Sequence, residues 1–556
     1  MKVSKKVTVV ALAIMLMFSL CGCDLFDILY TNEDTEKFEQ AFSANSNYRE
    51  KIVSFSEMEY RRPDVNAMQI LTDDIIGKVK KGAGRNEVTA KLDEFYELYY
   101  DFFTMEELAG IRSDIDVTDG FYFDEYSYCS SQEATVSRML NDMQCACANS
   151  DMSAYLDSQY FDGYLAEHFS ADGDFSYTDK LVDIYNKESS LLADYREVLA
   201  DMVSYNGSDV YGQYNEPACK IFIELIKTRK ELAEELGFDS YENYMFYSYD
   251  RDYTVSELDD YLAAIKEYIV PLYKKAYNKG IMNDIYYGLD AMNTDAAVSC
   301  FDSFASKMPE QIKAAYEFMK NYGLYYISCD KNASDISYTT YLSKYDAPFM
   351  LVKSDGYAED MLTIVHEFGH FCDNYINSDG DDSLDTTELM SQSLEYMLLC
   401  YLDDSSLASS LTRYKMIDEL YLYVTQAGFY DFEHRVYQLS ADELTVDNIN
   451  KLFAEVADEY GFSAGSSSLL SWIDINHIFD YPFYVISYCI SDSAAFSLYN
   501  MELNSKGSGL EMYVKLLNNA AKYNFEKLLD KESMSSPISR DTVKGVSQML
   551  SERLGL

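Results

Sequence analysis

Two histidines four residues apart, His366 and His370 in "VHEFGHF", enclose a glutamate, Glu367. On a helix this spacing puts both imidazoles on one face, one turn apart, where both can reach a single metal ion. Glu367 then sits beside the water to be activated and is placed to take its proton. Gly369 would let the back of the helix pack closely. The five-residue pattern also occurs on helices that bind nothing, so a third ligand has to be found. "TTELMSQSLEYMLLCYL" (Thr386 to Leu402) carries Glu388, Ser391, Gln392 and Glu395 at i, i+3, i+4 and i+7, one polar stripe on an apolar helix. Such a stripe is ordinarily a solvated face. This helix is too apolar to expose much surface, and buried charge needs a partner or a metal. Glu388 is the expected third ligand, with Glu395 and Ser391 supporting the site; exchanging Glu388 and Glu395 is the alternative. Two histidines, one carboxylate and an open position describe a catalytic rather than a structural site, with one Zn2+ per chain.

Something must hold these helices. "ISYTTYLS" (Ile336 to Ser343) and "APFMLVKS" (Ala347 to Ser354) are rich in β-branched and aromatic residues and are bounded by turn residues. They predict a small sheet just upstream of the histidine helix, joined to it by the Asp355-Gly356 turn. Elsewhere the helical period dominates. "TRKELAEELGF" (Thr228 to Phe238) ends on Gly237, a C-cap signal, and the stretch from Thr254 to Tyr277 opens with a capping residue and an acidic first turn. The expected fold is mainly α.

The 556 residues carry 45 basic and 94 acidic side chains, a net charge of −49, which would repel a phosphate backbone and argues against nucleic-acid binding. The N-terminus has its own character. Lys2, Lys5 and Lys6 precede an apolar run from Val7 to Leu20, short for a membrane span and right for a signal peptide. The run ends in "LCGC", which resembles a bacterial lipobox with Cys23 as the lipidated residue. The expected organisation is a lipoprotein signal peptide (1–22), a membrane-proximal tether (23–40), an N-terminal helical region (41–210) and a catalytic region (211–556). Acylation at Cys23 would anchor the protein to the outer face of the cytoplasmic membrane. Without Cys21 and Cys23 an odd number of cysteines remains, which cannot all pair, and the sequence assigns no disulfide.

"HEFGH" followed by "ELMSQSLE" resembles the thimet oligopeptidase and oligoendopeptidase F family of zinc metallopeptidases, where a glutamate opening an E-x-x-S segment is the third ligand. That position here is Glu388. "TQAGFYDFEHRVYQLS" (Thr425 to Ser440) resembles a phenylalanine-glutamate-histidine helix of the oligoendopeptidase F branch, and "HIFDYPFYVISYCIS" (His477 to Ser491) resembles its histidine-plus-tyrosines segment. The likeness runs over about residues 210 to 530. It implies a gluzincin-like helical fold with a deep substrate channel, and His477 with Tyr484 or Tyr488 as hydrogen-bond donors to the oxyanion. His434 would have a supporting or core role, or equally a catalytic one. Phe349, Leu351, Gly356 and Tyr481 would contact substrate, the strand at Ala347 to Ser354 offering its edge to a peptide backbone. Two departures stand out: the loop Ile376 to Asp385 is shorter than in the family, and Ile486 replaces a tyrosine.

The resulting expectation is an extracytoplasmic zinc endopeptidase acting on short peptides. A carboxypeptidase-like or dipeptide-releasing exopeptidase is the enzymatic alternative, and a peptide-binding lipoprotein without catalysis is the non-enzymatic one.

Overall fold

The computed structural model describes residues 49–161, 165, 179–205, 207–377, 383–465 and 469–556. The expected signal peptide, Cys23 and the tether lie outside these residues, as do residues 378–382 of the short loop. Among the described residues no helix is long and apolar enough to cross a membrane.

Helices dominate, as their apolar spacing and caps dictate. α1 (Val65–Lys80), α2 (Arg85–Ile115) and α3 (Gly120–Ala148) pack on one another, and α4 (Asp179–Ser204) packs on α5 (Val210–Leu236). α5 ends on Gly237 at φ +82°, the left-handed cap expected there. Thr254 and Glu257 form the reciprocal capping box predicted at the start of the next long helical stretch.

The small sheet has three strands rather than two. β1 (Tyr325–Ser328), β2 (Tyr338–Leu342) and β3 (Ala347–Lys353) lie in the order β1-β3-β2, with β1 parallel and β2 antiparallel to β3. β1 is the four-residue "YYIS" run after Gly323, too short to stand out from helical surroundings. Its presence corrects one expectation. β3 is the central strand, both of its edges are already paired, and it cannot offer one to a peptide. Phe349 and Leu351 are buried in the core, with Phe349 ring-to-ring against Phe55 at 4.3 Å, so neither is a substrate contact.

The N-terminal helices reach this sheet directly. From α2, Glu107 accepts from Thr340 (2.6 Å), and Asp114 accepts from Ser334 (2.6 Å) and Tyr338 (2.9 Å). The sheet in turn supports α6 (Asp360–Asn377), which is followed by α7 (Leu384–Tyr401), α8 (Ser405–Gln438), the short α9 (Asn476–Asp480) and α10 (Ile486–Asn504). α7 is enclosed by α6, α8 and α10 and buries almost every side chain, polar ones included.

Candidate metal centre

The chain enters α6 through a turn wound around one carboxylate. Asp360 accepts from the Ser354 hydroxyl (2.6 Å) and from the backbone N–H groups of Gly356 (2.8 Å) and Tyr357 (3.1 Å). Negative charge at this helix start also suits the backbone dipole. Gly356 sits at φ +86°, a conformation glycine adopts without penalty, which suits the turn. Phe368 then packs edge-on against Phe301 (5.0 Å) and Tyr316 (6.2 Å), fixing the rotation of α6 about its axis.

That rotation brings His366 and His370 to α7. Their Nε2 atoms are 3.2 Å apart, and Glu388 Oε2 lies 3.6 Å from the first and 3.9 Å from the second. One ligand atom from each residue falls within 4.8 Å of the others. The helices approach this closely because of Gly369: a Cβ there would lie 2.4 Å from Ser391 Cα.

The donor set fits a cation. His366 gives its Nδ1 proton to Glu395 Oε1 (2.9 Å), which turns Nε2 toward His370 and Glu388. Burial alone would push His366 down, but Glu395, Glu388 and Glu367 together hold it up to about 9, so the pocket draws positive charge to that nitrogen. Burial and the neighbouring His366 keep His370 well below its usual range and therefore neutral. Two nitrogens and a carboxylate oxygen suit a zinc-like ion. Glu388 is positioned by Tyr484, whose hydroxyl donates to Oε1 at 2.6 Å, and by Ser391, 3.3 Å from Oε2. Glu395 meets His366 from its far side, so Glu388 and not Glu395 is the carboxylate that faces both Nε2 atoms.

Burial pushes Glu367 up to about 7, while the charge on His366 and the Thr339 hydroxyl, 3.0 Å from Oε2, pull the other way. A carboxylate in that range is matched to proton transfer near neutral pH. Thr339 comes from β2, so the sheet reaches the proposed base itself.

His477 lies among three tyrosine rings, Tyr481 at 5.9 Å, Tyr484 at 5.6 Å and Tyr488 at 6.1 Å. Burial pushes its imidazole down to about 4, so the ring is neutral at pH 7. Tyr481 is itself buried and braces His477 and Tyr484 instead of facing substrate. Tyr488 is half-buried, the more accessible of the two candidate donors. His434 is not brought to the ligands. Its Nδ1 meets both oxygens of Glu242 (2.9 and 3.0 Å) and its Nε2 meets Gln438 (2.8 Å).

Several contributors escaped the sequence reading. Thr339 gave no signal. Lys415, buried on α8, lies 2.7 Å from Glu395 Oε2 and also meets Glu419. A lysine and a glutamate at i, i+4 in an apolar stretch was a usable hint, because an isolated buried ammonium is untenable.

Comparison with known proteins bears on the fold. Residues 55–168 match the peptidase M3 N-terminal domain family. The chain has the oligoendopeptidase F fold. It superimposes on Pz peptidase A solved with an inhibitor, with a TM-score of 0.75 at 20% identity over 90% of this chain and 99% of that one. A provisionally named oligoendopeptidase F from Bacillus anthracis gives 0.72 at 20% identity over 91% and 98%. In sequence, the chain is 26% identical over 208 residues to the chromosomal oligoendopeptidase F of Lactococcus lactis subsp. cremoris, a match covering 34% of this chain and 33% of that relative. The aligned part thus spans a third of the relative's length.

Proposed function

We propose that the protein is a zinc-dependent endopeptidase that hydrolyses short peptides outside the cell, anchored through Cys23. The observation that carries the catalytic part is the convergence of His366, His370 and Glu388 beside a buried Glu367. Zinc held by those three ligands would supply Lewis acidity, polarising the scissile carbonyl and easing ionisation of water. Glu367 takes the proton of the attacking water and passes it to the leaving nitrogen, while Thr339 holds its carboxylate in place. His477, kept neutral, and Tyr488 donate to the oxygen that gains charge, where fixed dipoles act most strongly. Tyr484, committed to Glu388, orients that ligand.

The test is cleavage of an end-blocked peptide of about ten residues by the parent and by Glu367→Gln, with zinc content measured on both. The variant should keep its zinc and lose roughly two or more orders of magnitude in kcat. A zinc-loaded parent that cleaves only free-ended peptides would move the assignment to an exopeptidase, and one that cleaves neither would end the enzymatic reading. For the anchor, Cys23→Ser should move the protein from the membrane fraction to the soluble fraction; unchanged fractionation would remove that part.

A further inference from the structure

The residue before Tyr484 holds a conformation that side chains rarely adopt: Phe483 has φ +65°. Its surroundings over-determine it. The Phe483 N–H donates to Glu433 Oε1 at 3.0 Å, and its carbonyl accepts from Arg251 Nη2 at 2.8 Å. The same guanidinium nitrogen donates to Ser487 Oγ at 2.8 Å, and the carbonyl of Pro482 accepts from the Tyr249 hydroxyl at 3.1 Å. Its ring is packed between Tyr437 (5.0 Å) and Tyr430 (5.9 Å). Arg251, Glu433 and Tyr249 are all buried.

A strained residue persists only where its neighbours enforce it, and such residues gather at functional sites. Here the enforced residue sets the direction of the next side chain, and that side chain reaches Glu388 Oε1 at 2.6 Å. Arg251 also faces Asp385 at 3.9 Å, one turn before Glu388 on α7, so it touches the neighbourhood of both partners in that bond. Arg251, whose counter-charge is Asp385, and Glu433 grip the two ends of a single residue.

We propose that Arg251 and Glu433 are positioning residues that hold Phe483 in its left-handed conformation and so aim Tyr484 at the ligand carboxylate of Glu388. This rests on the metallopeptidase reading of the site, but its test does not need peptide cleavage. Zinc affinity, measured on the full chain by chelator competition, reads the orientation of Glu388 directly, since groups supporting a metal ligand are worth roughly 10- to 100-fold in affinity. Glu433→Met removes the acceptor for the Phe483 N–H and should weaken zinc binding by about 10-fold, whereas Glu433→Gln keeps an acceptor oxygen and should restore most of it. In a Tyr484→Phe background, Glu433→Met should cost almost nothing further, because its effect travels through the missing hydroxyl. Losses that add in the double variant, or a folded Glu433→Met with parental affinity, overturn the proposal. Should Glu433→Met fail to fold, Arg251→Lys, which keeps a positive charge beside Asp385 but loses the rigid fork that holds the Phe483 carbonyl, takes its place under the same two criteria. A parent that binds zinc yet cleaves no peptide would refute the proposed activity while leaving this affinity cycle to decide the positioning role.

Discussion

Gly369→Ala is a one-methyl change that should disturb both the fold and the metal. An ideal Cβ at Gly369 lies 2.4 Å from Ser391 Cα and 2.8 Å from Met390 O, both backbone atoms that no rotamer change can move. Ordinary contact begins at 3.4 Å, so α6 and α7 must part by about 1 Å at this point. The displacement falls between His370, the next residue on α6, and Glu388, one turn earlier than Ser391 on α7. Overpacking of this kind costs about 1–3 kcal/mol. Metal–ligand distances tolerate only about 0.2 Å, so the affinity should also fall, by at least 10-fold on the scale of perturbed ligand shells. Two assays separate these effects: thermal melting of the metal-free protein, and chelator competition for zinc. Gly545→Ala is the control, since nothing lies within 4 Å of its Cβ and it sits inside a helix, where alanine should stabilise by roughly 0.5–1 kcal/mol. A Gly369→Ala protein with parental melting and parental zinc affinity would refute the claim that this glycine sets the spacing of the ligand helices.

Lys415→Met should lower the stability of the metal-free protein by about 1.5–3 kcal/mol, because Glu395 keeps only His366 as a cationic partner and Glu419 loses its own. Denaturant unfolding checks it, and a loss below 1 kcal/mol would contradict it. The metal-free protein should also lose stability as pH rises from about 6.5 to 8. Burial pushes Asp250 and Glu526 up to about 7, and raises Glu106 and Glu107 as well, so the folded state holds protons that the unfolded chain has already released. His366, held up to about 9, acts in the same direction. The depressed His370 and His477 oppose this trend up to about pH 7.5, above which the unfolded chain no longer holds their protons, and the raised groups outnumber them. The expected loss is on the order of 1 kcal/mol per group, and a flat or rising profile from denaturant midpoints would contradict the burial argument.

The local chemistry was written in the chain order. The i, i+4 histidines with Glu367 needed only helical periodicity, and the polar stripe containing Glu388 needed only the apolarity of the rest of its helix. Helix caps at Gly237 and Thr254, and the strands ahead of α6, followed from short-range rules of the same kind. These features depend on neighbours within a turn or two, which is why spacing alone exposes them. Other features depend on residues tens to hundreds of positions apart. That β3 is central follows from its pairing with the inconspicuous β1, and this removed Phe349 and Leu351 from the substrate contacts. Which of Glu388 and Glu395 faces the two Nε2 atoms is set by the rotation of α7 against α6. Nor could spacing show that Glu433, rather than its neighbour His434, reaches the tyrosine segment, or that Arg251 grips the same peptide from 232 residues upstream. The sequence by itself determined the ligand types, their helices and the mainly α class, because periodicity and burial of charge constrain these locally. Only the tertiary structure decided which carboxylate faces the metal site, which tyrosine is committed to it and what clamps that tyrosine, because those choices are made by packing angles between distant segments.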